Sequence, residues 1–176
     1  LSICVGKTGL SQDESVINYT TKDGLPSSQV YDIIQDDYGY LWFSTDKGLS
    51  RYDGYEFQNF NKSNGLPDNV VFDLVKQENG QIWGTTNSAS LFYFEGANPK
   101  FTPYKFNKLI EERGANKIVH SIYLSDNEDI YIGYHKFLDY LRISKSGKLL
   151  SVPRRYDTLS FRDSLLVVHC IVDDRS

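Results

Sequence analysis

The sequence predicts an all-β protein, a β-propeller fragment of four-stranded antiparallel blades with about three blades and part of a further one. A repeat of 41 residues supports this fold class, because residues 23–34 are echoed by residues 64–75. Both copies then run into a Gly-x-x-Trp sequence, at 39–42 and at 80–83. A period of about 40 residues with one Trp and several turn signals is typical of units that bury their apolar faces by stacking on copies of themselves.

The repeat continues in weaker form towards the end of the chain. Residues 119–131 align with residues 71–83 at a spacing of 48, with Tyr131 in place of Trp, and a further copy begins at 168–176. The chain contains no Met, and we expect both of its ends to continue in a longer protein. The predicted segments are a residual export segment or disordered N-terminus at 1–15 and a partial propeller at 16–176, with an outer closing strand at 16–20, blade one at 25–60, blade two at 66–104, blade three at 117–152 and the start of blade four at 165–176.

Strand and turn signals alternate within the first copy. Short runs of β-branched and aromatic residues predict strands, and Asp and Gly between them predict tight turns. Asp53 followed by Gly54 is a strong hairpin signal before the last strand. The predicted strands of blade one are 30–34, 41–45, 49–52 and 55–60, which together make one antiparallel blade.

The second copy predicts the same blade, with later strands at 82–86, 91–94 and 101–104. Inner strands of both copies are nearly continuous apolar runs, as expected when both faces of a sheet are covered. Residues 106–114 are polar and compatible with a helix that ends at Gly114, which accounts for the longer spacing to blade three. The residues predicted to maintain the repeat are Gly24, Leu25, Pro26, Gly39, Trp42, Gly65, Leu66, Pro67, Gly80 and Trp83.

Charge and cysteine content exclude several classes of function. A net charge of −4 and a pI of about 5.3 offer no basic surface for nucleic acid. Cys4 and Cys170 lack the spacing of zinc ligands, so no metal and no cofactor is predicted. Residues 1–6 resemble the tail of an apolar secretion segment, so we expect a periplasmic protein tethered to the membrane only through sequence outside this chain.

Open sheet edges lead us to expect association. An unpaired outer strand at 16–20 and an interrupted blade at 167–176 could complete one another between two chains. The expected assembly is a homodimer.

Ligands of propellers gather where loops enter the inner strands and where loops join the second and third strands. Amide, hydroxyl and aromatic groups in these loops suit a neutral sugar, although turn chemistry alone also favours Ser, Asn and Asp there. The inner-strand position of Tyr31 and Phe72 is taken by a histidine in the third copy, for which a filler between blades is the favoured interpretation. The candidate ligand-binding residues are Gln29, Tyr31, Asp46, Lys47, Asn69, Phe72, Asn87 and His120.

The repeat resembles a known family. Gly-Leu-Pro-Ser/Asp-Ser/Asn-x-Val, then Asp-x-x-Gly-x-Leu/Ile-Trp-x-x-Thr, then Gly-Leu-x-Arg-Tyr-Asp-Gly is similar to the two-component regulator propeller repeat, most completely over residues 19–60. Blade two departs from the last motif at 88–94, and blade three lacks both Gly-Leu-Pro and Trp. The resemblance implies the exported sensor region of a hybrid two-component histidine kinase of Bacteroides-type bacteria, which senses oligosaccharides from glycan breakdown and has no enzymatic activity in this part.

Two other functions remain open at this point. A propeller that binds proteins and no small molecule is one of them. A glycosidase or lyase is the other, because Asp37, Gly39 and Trp42 also resemble the Asp-box of sialidases. In that motif the carboxylate caps a turn, and the seven Arg of the chain are scattered without the cluster that a sialidase needs.

Overall fold

The computed structural model describes residues 2–4, 16–96, 98–113, 119–125, 129–134 and 140–150. These residues form three four-stranded antiparallel sheets and one two-stranded sheet, with little helix, so the predicted fold class is confirmed. The strands are β1 Ser2–Cys4, β2 Val16–Asn18, β3 Val30–Gln35, β4 Leu41–Thr45, β5 Gly48–Tyr52, β6 Phe57–Phe60, β7 Val71–Lys76, β8 Ile82–Thr86, β9 Leu91–Phe94, β10 Thr102–Pro103, β11 Val119–Leu124, β12 Ile130–Tyr134, β13 Tyr140–Ile143 and β14 Leu149–Leu150. The α-helix α1 spans Asn107–Arg113.

Each four-stranded sheet is one blade, in which every strand pairs with the next along the chain. Blade one is β3 to β6, blade two is β7 to β10, and blade three is β11 to β14. Helix α1 lies between blades two and three, where the sequence predicted a helix-compatible segment. Asn107 fastens it to β9, since its side chain accepts from the backbone N–H of Leu91 and donates to the carbonyl of Leu91, both at 2.8 Å.

Strand β2 covers most of the predicted closing strand, and one of its two edges is paired. It pairs antiparallel with β1, so the edge that was expected to be open has a partner in the first residues of the chain. Tyr19 then packs edge-on against Phe57 with ring centroids 5.5 Å apart, much as Phe60 packs on Phe101 at 5.4 Å one repeat later. The start of blade four at 165–176 lies outside the described residues.

Blades one and two are held together by an apolar core between their faces. Trp42 of β4 is fully buried there, with its ring 5.7 Å from that of Phe60 and 4.6 Å from that of Phe94. The buried members are Trp42, Leu49, Phe60, Leu66, Val71, Leu74, Ile82, Phe92, Phe94 and Phe101. A second cluster between blades two and three contains Trp83, Ile110 and Ile132, so the repeated Trp has the same role at both interfaces.

The Gly-Leu-Pro segments follow short 3₁₀ turns at Thr21–Asp23 and Lys62–Asn64. Gly24 and Gly65 end these turns with φ of +107° and +97°, a left-handed conformation that glycine adopts without strain. The chain direction changes there, and the following Leu25 and Leu66 become buried. The Gly-Leu pair therefore ends one blade and anchors the next.

The turn before the Trp is capped by Asp36 and not by Asp37, which corrects the assignment made from the Asp-box resemblance. Asp36 is buried and accepts from the backbone N–H of Tyr38 and Tyr40, both at 2.9 Å, and from Nε1 of Trp42 at 2.8 Å. Asp37 is exposed and pairs with Lys76 of blade two at 2.6 Å. A single carboxylate thus links the turn to the inter-blade tryptophan.

Replacing Asp36 by alanine is expected to lower the free energy of unfolding by about 3 kcal/mol, because buried donors would lose a charged acceptor. Urea denaturation followed by circular dichroism measures the change. The matched control is Asp37→Ala, which removes an exposed ion pair and should change stability by less than about 0.5 kcal/mol. Equal effects of the two substitutions would contradict the assignment of the cap to Asp36.

Candidate functional site

The innermost strands of the three blades lie side by side, with β7 between β3 and β11. Val30 pairs with Thr45 and Val71 pairs with Thr86, so the loops after β4 and β8 lie beside the loops that enter β3 and β7. The backbone N–H of Asn87 also donates to the carbonyl of Val70 at 3.1 Å. We call this end of the blades the loop end. The candidate residues predicted from the sequence that belong to these loops are Gln29, Asp46, Lys47, Asn69 and Asn87.

Each innermost strand has a register shift near this end. The pairing is interrupted between Val30 and Asp32, between Val71 and Leu74, and between Val119 and Ser121. A β-bulge takes a residue out of the ladder and re-aims its side chain. The candidate residues at these three irregularities are Tyr31, Phe72 and His120.

Tyr31 and Phe72 are brought into contact across blades one and two. Their ring centroids are 5.0 Å apart with an interplanar angle of 64°. Tyr31 is 46% exposed, and Phe72 is partly buried behind it. The pair forms an aromatic platform at the loop end, and its two members hold equivalent repeat positions in blades one and two. His120 lies at the irregularity of β11 in blade three.

At the loop end, polar side chains of blade one have hydrogen-bonding groups that a ligand could contact. Gln29 and Lys47 are exposed. Oδ1 of Asp46 is buried and has no hydrogen-bond partner among the described residues. Buried polar atoms are nearly always satisfied, so this oxygen could accept from a hydroxyl or amide group that enters from outside.

In blade two, polar side chains at the loop end make hydrogen bonds to the backbone of the loops. Oδ1 of Asn69 accepts from the backbone N–H of Lys62 at 3.0 Å. Asp68 accepts from the backbone N–H of Asn69 and of Ser88, at 2.7 and 3.1 Å. These are the turn contacts that Asp and Asn commonly make. Asn87 is exposed beside them and joins its loop to the entrance of β7 through its backbone.

The sequence interpretation missed two carboxylates, one at the interface of blades one and two and one at the interface of blades two and three. Oδ2 of Asp32 accepts from the backbone N–H of Leu74 at 2.9 Å, and Oδ2 of Asp73 accepts from that of Ile122 at 3.3 Å. Each carboxylate therefore bridges to the next blade. Their spacing of 41 residues was the available signal, but it was visible only as part of the repeat.

The pKa of Asp73 is raised to about 7, chiefly by burial and next by the negative charge of Asp32, with hydrogen bonding to Asp32 adding to the effect.

No group of three or more His, Cys, Asp or Glu that could hold a metal ion occurs among the described residues. A separate open depression of about 280 Å³ lies at the outer edge of blade one, away from the loop end. It is lined by Arg51, Asp53, Glu56, Phe57 and Gln58.

Comparison with protein families supports the resemblance inferred from the motifs. Residues 24–47 match the family model described as two component regulator propeller, which covers the Gly-Leu-Pro turn, β3 and β4. The resemblance to this repeat is thereby confirmed. The search of curated proteins gave no match.

Solved structures share the fold at low sequence identity. The extracellular domain of the hybrid two component system BT4673 from B. thetaiotaomicron matches with a TM-score of 0.61 and 16% identity, over 83% of this chain and 19% of that one. That of BT3049 from the same organism matches with a TM-score of 0.52 and 21% identity, over 68% and 16%. A streptogramin B lyase matches with a TM-score of 0.58 and 18% identity, over 84% and 47%.

The chain thus spans less than a fifth of the length of these two extracellular domains and about half of that of the lyase. At identities below one quarter, these matches show a shared fold and no shared function, so the function of the loop end depends on its own residues. No helix among the described residues is long and apolar enough to cross a bilayer.

Proposed function

We propose that this chain is part of the exported sensor propeller of a hybrid two-component system and that it binds a glycan-derived oligosaccharide at the loop end without chemical conversion. The observation that carries the proposal is the exposed Tyr31 ring, packed on Phe72 across two blades. The match of residues 24–47 to the regulator propeller repeat and the fold shared with two extracellular sensor domains support it. The proposed location is the periplasm.

A neutral sugar fits the chemistry of the loop end. Sugar rings present C–H groups that pack on an aromatic face, and their hydroxyls need hydrogen bonds. The Tyr31 and Phe72 platform supplies the face, and the exposed amides and the ammonium group supply donors. Asp46 adds an acceptor through its unpaired Oδ1. The polar residues proposed to contact the ligand are Gln29, Asp46, Lys47, Asn69 and Asn87, with His120 placed at the same end by its strand.

Signalling would follow from binding across two blades. A ligand held by Tyr31 on blade one and by Asn87 on blade two favours one arrangement of these blades over others. Typical coupling free energies between distant sites are about 1 to 3 kcal/mol, which is sufficient to bias a kinase equilibrium. The kinase itself belongs to sequence outside this chain.

The test is a thermal-shift titration of the exported region that contains this chain with a panel of oligosaccharides. A ligand should raise the melting temperature in a dose-dependent way. The substitution Tyr31→Ala should weaken the affinity for that oligosaccharide at least about tenfold, since exposed aromatic anchors carry much of a binding energy. The matched control is Tyr38→Ala, because Tyr38 is 67% exposed but lies in the turn at the opposite end of the blade.

Four outcomes separate the candidate functions. Weakening by Tyr31→Ala alone supports the proposed site, whereas equal effects of both substitutions would contradict it. Absence of any thermal shift across the panel would favour a propeller that binds protein partners. The shared fold with a streptogramin B lyase makes a lyase or glycosidase the other candidate, and turnover of the ligand, detected as new reducing ends or unsaturated products, would replace the sensor proposal.

A further inference from the structure

The inner strands of blades one and two, and those of blades two and three, are joined by the same kind of contact at equivalent repeat positions. The bulge in β7 turns the backbone N–H of Leu74 towards blade one, where Oδ2 of Asp32 accepts it at 2.9 Å. In the same way Oδ2 of Asp73 accepts from the backbone N–H of Ile122 in blade three. Each contact joins a carboxyl oxygen of one blade to the partly buried backbone of the next.

The two carboxyl groups also lie next to each other. The carboxyl group of Asp32 accepts from the backbone N–H of Leu74, and Asp73 is the residue directly before Leu74 in the chain. Both residues are partly buried. Two carboxylates in such a position repel each other when both are ionised, whereas one shared proton converts the repulsion into a hydrogen bond.

No cation on the described neighbouring elements compensates for this charge. Strands β4 and β8 carry no titratable residue, and β3 contributes Tyr31 beside Asp32. Within β7 the ammonium group of Lys76 is held by Asp37, 2.6 Å away. Strand β11 contributes Tyr123 and His120, and His120 lies at the irregularity of that strand. A proton is therefore the available counter-charge for Asp32 and Asp73. Since His120 can also titrate in this pH range, a test has to distinguish its titration from that of the two aspartates.

We propose that Asp32 and Asp73 form a proton-operated latch between the blades, closed while Asp73 is protonated and weakened when that proton is lost. With Asp73 protonated, its carboxyl can donate to Asp32 and still accept from Ile122, so blades one, two and three are joined through one chain of hydrogen bonds. With both groups ionised, the repulsion acts across the same interface. The latch responds to pH without any ligand.

The direction of the pH effect follows from linkage. The pKa of Asp73 is raised to about 7 in the folded protein, from an ordinary value of 3.8, by burial and by the charge of Asp32. Between about pH 4 and pH 7 the folded protein therefore holds a proton that the unfolded chain has lost, so stability falls as the pH rises through this interval. Above this interval the full penalty of the ionised pair remains.

The latch also adjoins the aromatic platform. Tyr31 and Phe72 directly precede Asp32 and Asp73, so a change in the spacing of blades one and two changes the contact of the two rings. Ligand affinity would then depend on pH over the same interval, a consequence that, unlike the latch, rests on the proposed function. Loss of ligand binding with an intact pH profile of stability would refute only that function.

The test compares melting temperatures of the full chain and its variants from pH 4.5 to pH 8.5. Asparagine at position 73 imitates the protonated acid, so Asp73→Asn should abolish the decline between about pH 4.5 and pH 7. The melting temperature of this variant relative to that of the unsubstituted protein should rise by about 5 °C over the same interval. The matched control Asp53→Asn alters an exposed turn carboxylate and should keep the decline. His120→Gln should also keep it, and its loss in that variant would assign the titration to His120 and overturn the latch.

A second measurement begins with the unsubstituted chain and therefore does not rest on the folding of a variant alone. In the unsubstituted chain labelled with ¹³C at the aspartate side-chain carboxyl carbons, one resonance should titrate near pH 7, and Asp32→Asn should shift its midpoint to lower pH. An absence of any aspartate titrating above pH 6 in the folded chain would overturn the proposal, as would a midpoint unaffected by Asp32→Asn.

Discussion

Replacing Trp42 by alanine is expected to lower the free energy of unfolding by about 4 kcal/mol, the range found for deletion of large buried aromatic side chains. Trp42 has no exposed surface, and its ring lies between those of Phe60 in blade one and Phe94 in blade two. The substitution opens a cavity in the core between the two blades. It also leaves Asp36 without its contact to Nε1.

The measurement is urea denaturation followed by far-ultraviolet circular dichroism, because the substitution changes the fluorescence signal. Trp42→Phe is the informative comparison, since it keeps a ring between Phe60 and Phe94 but removes the hydrogen bond to Asp36. We expect it to lose about 2 kcal/mol. A loss below about 1 kcal/mol for Trp42→Ala would show that the blades do not depend on this core.

Replacing Gly48 by alanine is expected to destabilise the protein by about 3 to 5 kcal/mol, from left-handed backbone strain together with overpacking. Gly48 begins β5 with φ of +113°. A Cβ atom there would collide with the carbonyl oxygen of Phe60, which is backbone and has no flexible end to move aside. The collision would separate β5 from the end of β6.

Gly54→Ala is the matched control for this prediction. Gly54 has φ of +101°, but no described atom lies within 4 Å of the position that a Cβ would take. It should therefore show the backbone cost alone, about 1 to 2 kcal/mol. Denaturation midpoints of both variants test the difference, and an equal loss would indicate that the contact with Phe60 relaxes without cost.

Most of the fold was predictable because its signals are local. The strands of blade one were predicted to within a few residues, since β-branched and aromatic runs alternate with Asp and Gly turns over short distances. The repeat extended the prediction to blade two, where the turn signals are weaker. Helix α1 was anticipated from composition, but its attachment to Leu91 was not.

The details of the site were harder to predict. The sequence pattern placed Tyr31 and Phe72 at equivalent positions, and the structure shows that their rings meet. The Asp-box resemblance assigned the cap of the turn to Asp37, which is wrong, because only burial in the folded protein distinguishes Asp36 from its acidic neighbour. The pairing of β2 with β1 was also not anticipated, since the first residues were interpreted as an export segment.

By itself, the sequence determined the four-stranded blades, their turns and the tryptophan that each of the first two blades places in an inter-blade core. These depend on preferences within a few residues and on a period that copies them. Only the tertiary structure decided that Asp32 would meet Leu74, 42 positions later, and that Asp73 would meet Ile122, 49 positions later. The physical reason is that each carboxyl oxygen accepts from a backbone N–H of the next blade, so its partner depends on how neighbouring blades stack.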